Sequence, residues 1–318
     1  MNILVIGGSV FVGKHVVEAA LSRGHQVTVF NRGSRKPAYS QPVEHVQGDR
    51  TTDLHRLQGR QFDSVVDCCA YTPEHMAQAM DALQLLAAHY VFISTISVYQ
   101  HFPPGVAYDE TAAVAQGHTG YGALKARAEE VIEAGFPGRV AHVRPGLVVG
   151  PDDLSGRFAY WPVRVAAGGA VLAPGRPTRP IHFVDVRDLA AWCVALAEAK
   201  TAGIFNAAGP SDTMASFLNQ CQRECNPQAQ FTWVDDDALT AAQVAPWTGM
   251  PLWIPETDAD FGGMLLADCS KAQRAGLKTR PWEDTIRDTL RWATDHADVA
   301  VGAACISREA EAALIAGD

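Results

Sequence analysis

The sequence predicts an α/β protein built on a doubly wound parallel sheet, with a smaller, discontinuous lobe drawn from its second half. Three observations carry this. Short apolar runs alternate with helix-length segments over residues 1–150; the first run breaks into Gly7-Gly8 just before a helical pattern; and after about residue 150 the regularity gives way to Pro-, Gly- and Trp-rich chain.

Taken in order, residues 2–7, 26–31, 43–47, 63–69, 90–94 and 139–144 read as strands, being apolar and rich in β-branched or aromatic side chains. Between them, 12–23 repeats apolar residues at helical spacing and stops at Gly24. Segment 73–88 starts with Thr72 as cap and Pro73 in the first turn, and 120–134 is a third helix. Strands separated by helices pair in parallel through right-handed crossovers. This assigns 1–150 to a dinucleotide-type domain and 151–318 mainly to a substrate lobe and C-terminal helices, with return segments at about 181–206. In the second half, 185–199 and 213–224 read as helices and 203–206 as a strand, whereas the Pro-rich stretches 172–180 and 244–255 read as pocket-shaping loops.

Composition narrows the function. The chain has 318 residues, is 47% hydrophobic and carries a formal net charge of -9, so it has an ample core and no global positive field for nucleic acid. Seven cysteines, two of them adjacent at Cys68 and Cys69 in an apolar run, do not form a disulfide framework and point to a reducing compartment. The opening MNILVIGGSVFVG is no signal peptide and no stretch reaches spanning length, so a cytoplasmic protein with no membrane partner is expected.

A strand that ends in glycine and runs directly into a helix gathers unpaired N–H groups and the positive end of the helix dipole, which suits a pyrophosphate. Gly7, Ser9, Val10, Phe11, Val12 and Gly13 form that turn, with Val10 where a middle glycine is expected. The second strand ends in Asn31-Arg32-Gly33-Ser34-Arg35-Lys36. An acid there would bind ribose hydroxyls; an amide followed by cations favours a 2′-phosphate, hence NADP(H) over NAD(H).

Tyr121 and Lys125, four residues apart at the start of a helix, share a face. A phenol titrates near pH ~10, and a neighbouring cation lowers that value, so the pair can move a proton at a substrate oxygen. Upstream, the strand YVFIS runs into Thr95-Ile96-Ser97-Val98-Tyr99, placing hydroxyls at the carboxyl end of a strand, where open α/β sheets bind ligands.

Together these motifs make the chain resemble the extended short-chain dehydrogenase/reductase family, also called the NAD-dependent epimerase/dehydratase family, with its Rossmann domain. The resemblance rests on the glycine turn, Gly48-Asp49, residues 63–70, 94–99, Tyr121-x-x-x-Lys125, Arg144-Pro145-Gly146 with Gly150-Pro151, and residues 183–190. It implies that Asp49 and its neighbour Arg50 meet the adenine side, that Cys69 and Ala70 line the cofactor, and that Pro145 and Gly146 lie beside the nicotinamide. It implies Thr95, Tyr121 and Lys125 as the catalytic set, with Lys125 also on a ribose hydroxyl. Ile96 and Ser97 replace the Asp-Glu pair of the family's dehydratases, and Ile181 stands where nucleotide-sugar enzymes carry arginine, with Arg179 displaced from it.

The expected activity is hydride transfer to or from a carbonyl or secondary alcohol of a small molecule. The alternatives are a sugar epimerase with recycled NAD(P) and a non-catalytic nucleotide- or RNA-associated protein. Ser97, Tyr160 and Trp161 are candidate substrate contacts, and His118 is a candidate relay. Cys221 and Cys225 lack partners at ligand spacing, so no metal is expected. A homodimer is possible, and the helix-like C-terminal segment could fray or dock on a partner chain.

Overall fold

The computed structural model describes residues 1–35, 37–296 and 305–317. Strands β1 (Asn2–Ile6), β2 (Gln26–Asn31), β3 (Glu44–Gln47), β4 (Ser64–Asp67), β5 (Tyr90–Ile93) and β6 (Val140–Pro145) alternate with helices α1 (Phe11–Ser22), α2 (Pro73–Leu83) and α3 (Tyr121–Gly135). The chain continues through β7 (Val148–Val149), α4 (Tyr160–Ala166), β8 (Ala170–Pro174), β9 (Pro180–Ile181), β10 (Val184–Asp185), α5 (Val186–Ala199) and β11 (Gly203–Ala207). It closes with β12 (Asp212–Thr213), α6 (Met214–Cys225), β13 (Gln230–Val234), α7 (Asp236–Ala241), α8 (Ser270–Arg274), α9 (Trp282–Asp295) and α10 (Arg308–Ala316).

Seven strands form one parallel sheet in the order β11-β6-β5-β4-β1-β2-β3. Strand order reverses at β1, so the crevice outside the carboxyl ends of β1 and β4 is the switch point where such sheets bind ligands. Helices α1 and α5 pack together on one face, and α2 and α3 pack together on the other. β1 accordingly has both faces covered: Ile3 and Val5 enter one core, Leu4 and Ile6 the other.

Local signals explain the boundaries. Thr72 caps α2 by accepting from the His75 N–H, and Asp185 caps α5 by accepting from the Arg187 N–H. Helix α2 ends at Leu83, earlier than the spacing suggests, because residues 86–88 turn back: Phe62 donates to Leu86 O, and Ala88 donates to Phe62 O.

The second lobe has its own core around Phe158, Trp161, Phe183, Phe217 and Trp253, and the chain returns from it to the sheet through α5 and β11. The expectation of a loop over 172–180 is corrected in part: β8 pairs in parallel with β13, Leu172 opposite Thr232, and its proline sits at the strand end, where a missing N–H matters least. Segment 244–255 carries no helix or strand longer than an isolated bridge, but its Trp253 is fully buried. Helix α10 packs on β8 of its own chain, and its buried Glu311 receives the Arg164 Nε at 2.8 Å. No helix among the described residues is long and apolar enough to cross a membrane.

Candidate functional site

A cavity of about 650 Å³ opens at the switch point. Its wall begins with the turn between β1 and α1. Gly7 has φ +94°, and a Cβ on Gly13 would lie 2.5 Å from the Gly7 carbonyl oxygen, so α1 approaches the strand end as only glycine permits. Val10 precedes the helix in extended conformation, with no side chain capping the first turn, and its own side chain is exposed at the cavity. Phe11 adopts φ +34°, so the loop bends around the missing glycine by placing strain on the next residue. The first-turn N–H groups of α1 lack side-chain acceptors and face an anion-compatible space.

The far wall comes from the ends of β2 and β3. Asn31 Oδ1 accepts from the Gly33 N–H at 2.8 Å and pairs with His45 Nε2 at 2.7 Å, which fixes its carboxamide at the rim. Arg32, Ser34 and Arg35 line the same rim. Lys36, the remaining cation of this run, lies outside the described residues. Asp49 accepts from both the Thr51 hydroxyl and its N–H, and these bonds hold its carboxyl below the usual range.

The structure thus brings Gly7, Ser9 to Gly13, Asn31, Arg32, Arg35, Asp49, Arg50 and Cys69 to one cavity. Arg50 stands there differently from the expectation. Its guanidinium grips buried Asp67 through two bonds of 2.8 and 3.0 Å and the His75 carbonyl at 2.9 Å, so its charge braces the β3 and β4 loops instead of reaching out to a ligand. Tyr90 adds its hydroxyl to Asp67 at 2.6 Å. The burial of this carboxylate is thereby compensated, and its pKa falls below the ordinary value. The spacing missed Tyr71 and His75, which also line the cavity; their position directly after β4, at a carboxyl end, is the signal that would have found them.

Thr95 follows β5, accepts from the Ser97 N–H at 3.1 Å and donates to the Ser97 hydroxyl at 3.2 Å. Tyr121 opens α3 and is half exposed. Partial burial raises its pKa, and the Thr95 hydroxyl pulls the other way. Lys125 corrects the expectation of a cation tuning the phenol. Its Nζ is buried, donates to Ala70 O at 2.9 Å and Ile93 O at 2.6 Å, and sits 4.2 Å from the Phe92 ring centre. Burial lowers its own pKa to about 8, while the net displacement of Tyr121 is upward. The lysine ties the loop after β4 to the last residue of β5.

Pro145 ends β6, and Gly146 donates its N–H to Ala207 O at 3.0 Å, close to Ile96 and the buried His182. Tyr160 and Trp161 are corrected as substrate contacts: both are packed in the second-lobe core, and the Trp161 indole donates to Pro251 O at 3.1 Å. His118 is exposed and pairs with Arg127 on the surface. Cys221 is buried and Cys225 partly buried, and no cluster of metal-ligating side chains occurs among the described residues.

Comparison with known proteins agrees with this architecture. Over 175 residues the chain is 31% identical to the 2-alkyl-3-oxoalkanoate reductase of Stenotrophomonas maltophilia (strain K279a), covering 48% of this chain and 52% of the reductase. Over 206 residues it is 26% identical to the chloroplast stem-loop binding protein of 41 kDa b of Arabidopsis thaliana, covering 59% and 53%. The chain therefore spans about half the length of the curated relatives it matches. The Bordetella bronchiseptica enzyme WbmH, solved in complex with NAD+, shares the fold at 16% identity with a TM-score of 0.70, over 93% of this chain and 98% of WbmH. Residues 3–208 match the model of the NAD dependent epimerase/dehydratase family, and the chain belongs to that family.

Proposed function

We propose that the chain is an NADP(H)-dependent oxidoreductase that moves a hydride between the nicotinamide and a carbonyl or secondary alcohol of a small molecule. The observation that carries this reading is that the first turn of α3, which bears Tyr121, rests on the turn that follows Thr95 at the carboxyl end of β5, where a Cβ on Gly122 would lie 1.9 Å from Ser97 O, one strand away from the cavity at β4 and β1. The donor set fits the cofactor: uncapped α1 N–H groups for the pyrophosphate, ionised Asp49 for the adenine amine, and Asn31 with Arg32 and Arg35 for a phosphorylated ribose. When bound, the nicotinamide supplies or accepts the hydride.

In this reading the Thr95 hydroxyl holds the reacting oxygen, and Tyr121 gives or takes the proton there. Lys125 positions the walls on either side through Ala70 and Ile93. A phenol with an ordinary value of ~10 is protonated at neutral pH, so Tyr121 enters as the proton donor that carbonyl reduction needs. Similarity to a reductase makes that direction the first to assay. Tyr121→Phe should abolish turnover while calorimetry still detects NADPH binding; unchanged turnover would overturn the mechanism.

Two other readings have observations behind them. Family membership favours an epimerase with recycled cofactor, for which nicotinamide would co-purify and added cofactor would not be consumed. Similarity to the stem-loop binding protein favours an RNA-associated role, which the net charge of -9 opposes. Salt-sensitive RNA binding in a gel shift, with no affinity for NADPH, would select that reading.

A further inference from the structure

Two segments bring anion-binding groups to the cavity at the switch point: the glycine turn that opens α1, and the loop after β2 that carries Arg32, Ser34 and Arg35. Both arginines are exposed. A cation on an exposed loop gives back part of its pairing energy as the entropy of ordering loop and side chain, unless the loop is already held when the ligand arrives.

The loop is held at both ends. Where it leaves β2, the Gln47 side chain donates to Arg32 O at 3.0 Å, and Asn31 is fixed by the Gly33 N–H and His45. Where it returns, it is fastened to the opposite segment. Tyr39 donates its hydroxyl to Gly8 O, inside the glycine turn, at 3.0 Å. Ser40 follows by donating its N–H at 2.9 Å and its hydroxyl to the Glu18 carboxylate, and the Gln41 side chain donates to Leu21 O at 3.3 Å; both acceptors lie on α1.

The Tyr39 bond differs from the other two. Ser40 and Gln41 are exposed, so water competes for their partners, whereas Tyr39 is partly buried with its ring packed against the core that contains Val16, Val17 and Val29. Burial pushes its phenol up to about 12, which keeps it a donor at neutral pH. Its acceptor cannot drift. A Cβ on Gly8 would lie 2.9 Å from a Val17 methyl and 3.1 Å from a Val29 methyl, and the next residue, Ser9, donates its N–H to Gly7 O at 2.9 Å. Gly8 and Tyr39 are not among the residues that line the cavity, so the bond acts from behind its wall.

We propose that Tyr39 is a positioning residue for cofactor selection: its hydroxyl, bonded to Gly8 O, holds the loop that carries Arg35 at a fixed distance from the glycine turn, so that a dinucleotide seated on the α1 N–H groups meets the arginine with its 2′-phosphate. This rests on the NADP(H) reading of the cavity. Removing the hydroxyl leaves the ring and its packing in place and frees the loop, and the loss falls on the cofactor that needs the loop.

Calorimetric titration of the parent, Tyr39→Phe, Arg35→Ala and the double variant with NADPH and with NADH closes a double-mutant cycle. Tyr39→Phe should weaken NADPH by about fivefold to tenfold and NADH by less than about twofold, the scale of one hydrogen bond. Its melting temperature without cofactor should fall by less than about 4 °C. Arg35→Ala should weaken NADPH by about tenfold in the parent, and by about threefold or less once Tyr39→Phe has freed the loop. Equal weakening of both cofactors, additive losses in the cycle, or unchanged NADPH affinity in Tyr39→Phe overturns the proposal. A parent that binds NADH as tightly as NADPH overturns the phosphate reading and this proposal with it; a parent that prefers NADPH, with the preference intact in Tyr39→Phe, overturns this proposal alone.

Discussion

A Cβ built on Gly122 would lie 1.9 Å from the carbonyl oxygen of Ser97. Helix α3 therefore rests directly on the turn that follows β5, and this contact sets Tyr121, one residue earlier, against the Thr95–Ser97 turn. The obstruction is backbone, so no side chain can swing aside. Gly122→Ala is expected to cost about 1–3 kcal/mol in a urea melt, as overpacking does. It should also reduce turnover by about a hundredfold, the scale of effect from displacing a catalytic group by ~1 Å. Parent-level turnover would mean that the site does not depend on this contact.

Lys125 makes the opposite trade between stability and function. Burial is the main cause that lowers its pKa, to about 8, and Asp67 and Glu129 oppose it. The unfolded chain, with a lysine value near ~10.4, binds more protons than the folded one between about pH 8 and 10.4, so this group makes stability rise with pH across that window. Below it, the buried ammonium is a constant burden. Lys125→Met should therefore melt higher at neutral pH, by an amount on the order of 1–3 kcal/mol that shrinks toward about pH 10, while losing activity. Absence of any gain at neutral pH would show that the bonds to Ala70 and Ile93 outweigh the burial.

Asp152 titrates the other way. Hydrogen bonding to His15, with Lys14 at 2.8 Å, lowers its pKa to about 2, tying the start of α1 to the loop after β7. A folded-state value below the unfolded ~3.9 contributes stability that is fully present above about pH 4 and is lost as pH falls toward 2. Asp152→Asn should cost about 2 kcal/mol at neutral pH, less whatever solvent screening removes from this partly exposed pair. The difference from the parent should shrink as pH falls below about 4 and close only near about pH 2 in acid-dependent melts. A difference that persists unchanged into acid would assign the loss to packing and not to charge.

The sheet was legible because its inner strands are continuous apolar runs with β-branched residues and both faces covered; the edge strand β3, EHVQ, is polar and largely exposed. Gly7, Gly13, Asn31 and Asp49 were legible as one cavity because they lie at the carboxyl ends of neighbouring parallel strands, whereas Thr95 and Tyr121 lie one strand further on, outside its lining. What the chain order could not convey was competition among charges. Arg50 reads as a free cation beside Asp49 until Asp67 is seen to take both its arms; Lys125 reads as a partner of Tyr121 until two carbonyls are seen to hold it. Strand β8 was hidden by Pro174, and Trp161 looked like a pocket wall because aromatic composition does not distinguish a core from a surface. Each of these depends on a residue far away in sequence.

In the proposed oxidoreductase, the end of β2 would set the choice of cofactor. Asn31 Oδ1 is already taken up by the Gly33 N–H and His45, so it is not free to accept from a pair of ribose hydroxyls, and Arg32 and Arg35 supply the only charges that this loop contributes among the described residues. A 2′-phosphate would find two cations and no carboxylate on that loop. Calorimetry should therefore give tighter binding of NADPH than of NADH. The double variant Arg32→Ala, Arg35→Ala should lower NADPH affinity by about 10- to 100-fold, with NADH changed by less than about threefold, since charge-assisted bonds to phosphate are lost and nothing else is. Asn31→Asp places a carboxylate where the phosphate would sit and should reverse the preference. If the parent protein binds NADH at least as well as NADPH, and the double variant weakens both equally, the two arginines form a solvated loop and the cofactor is NAD(H).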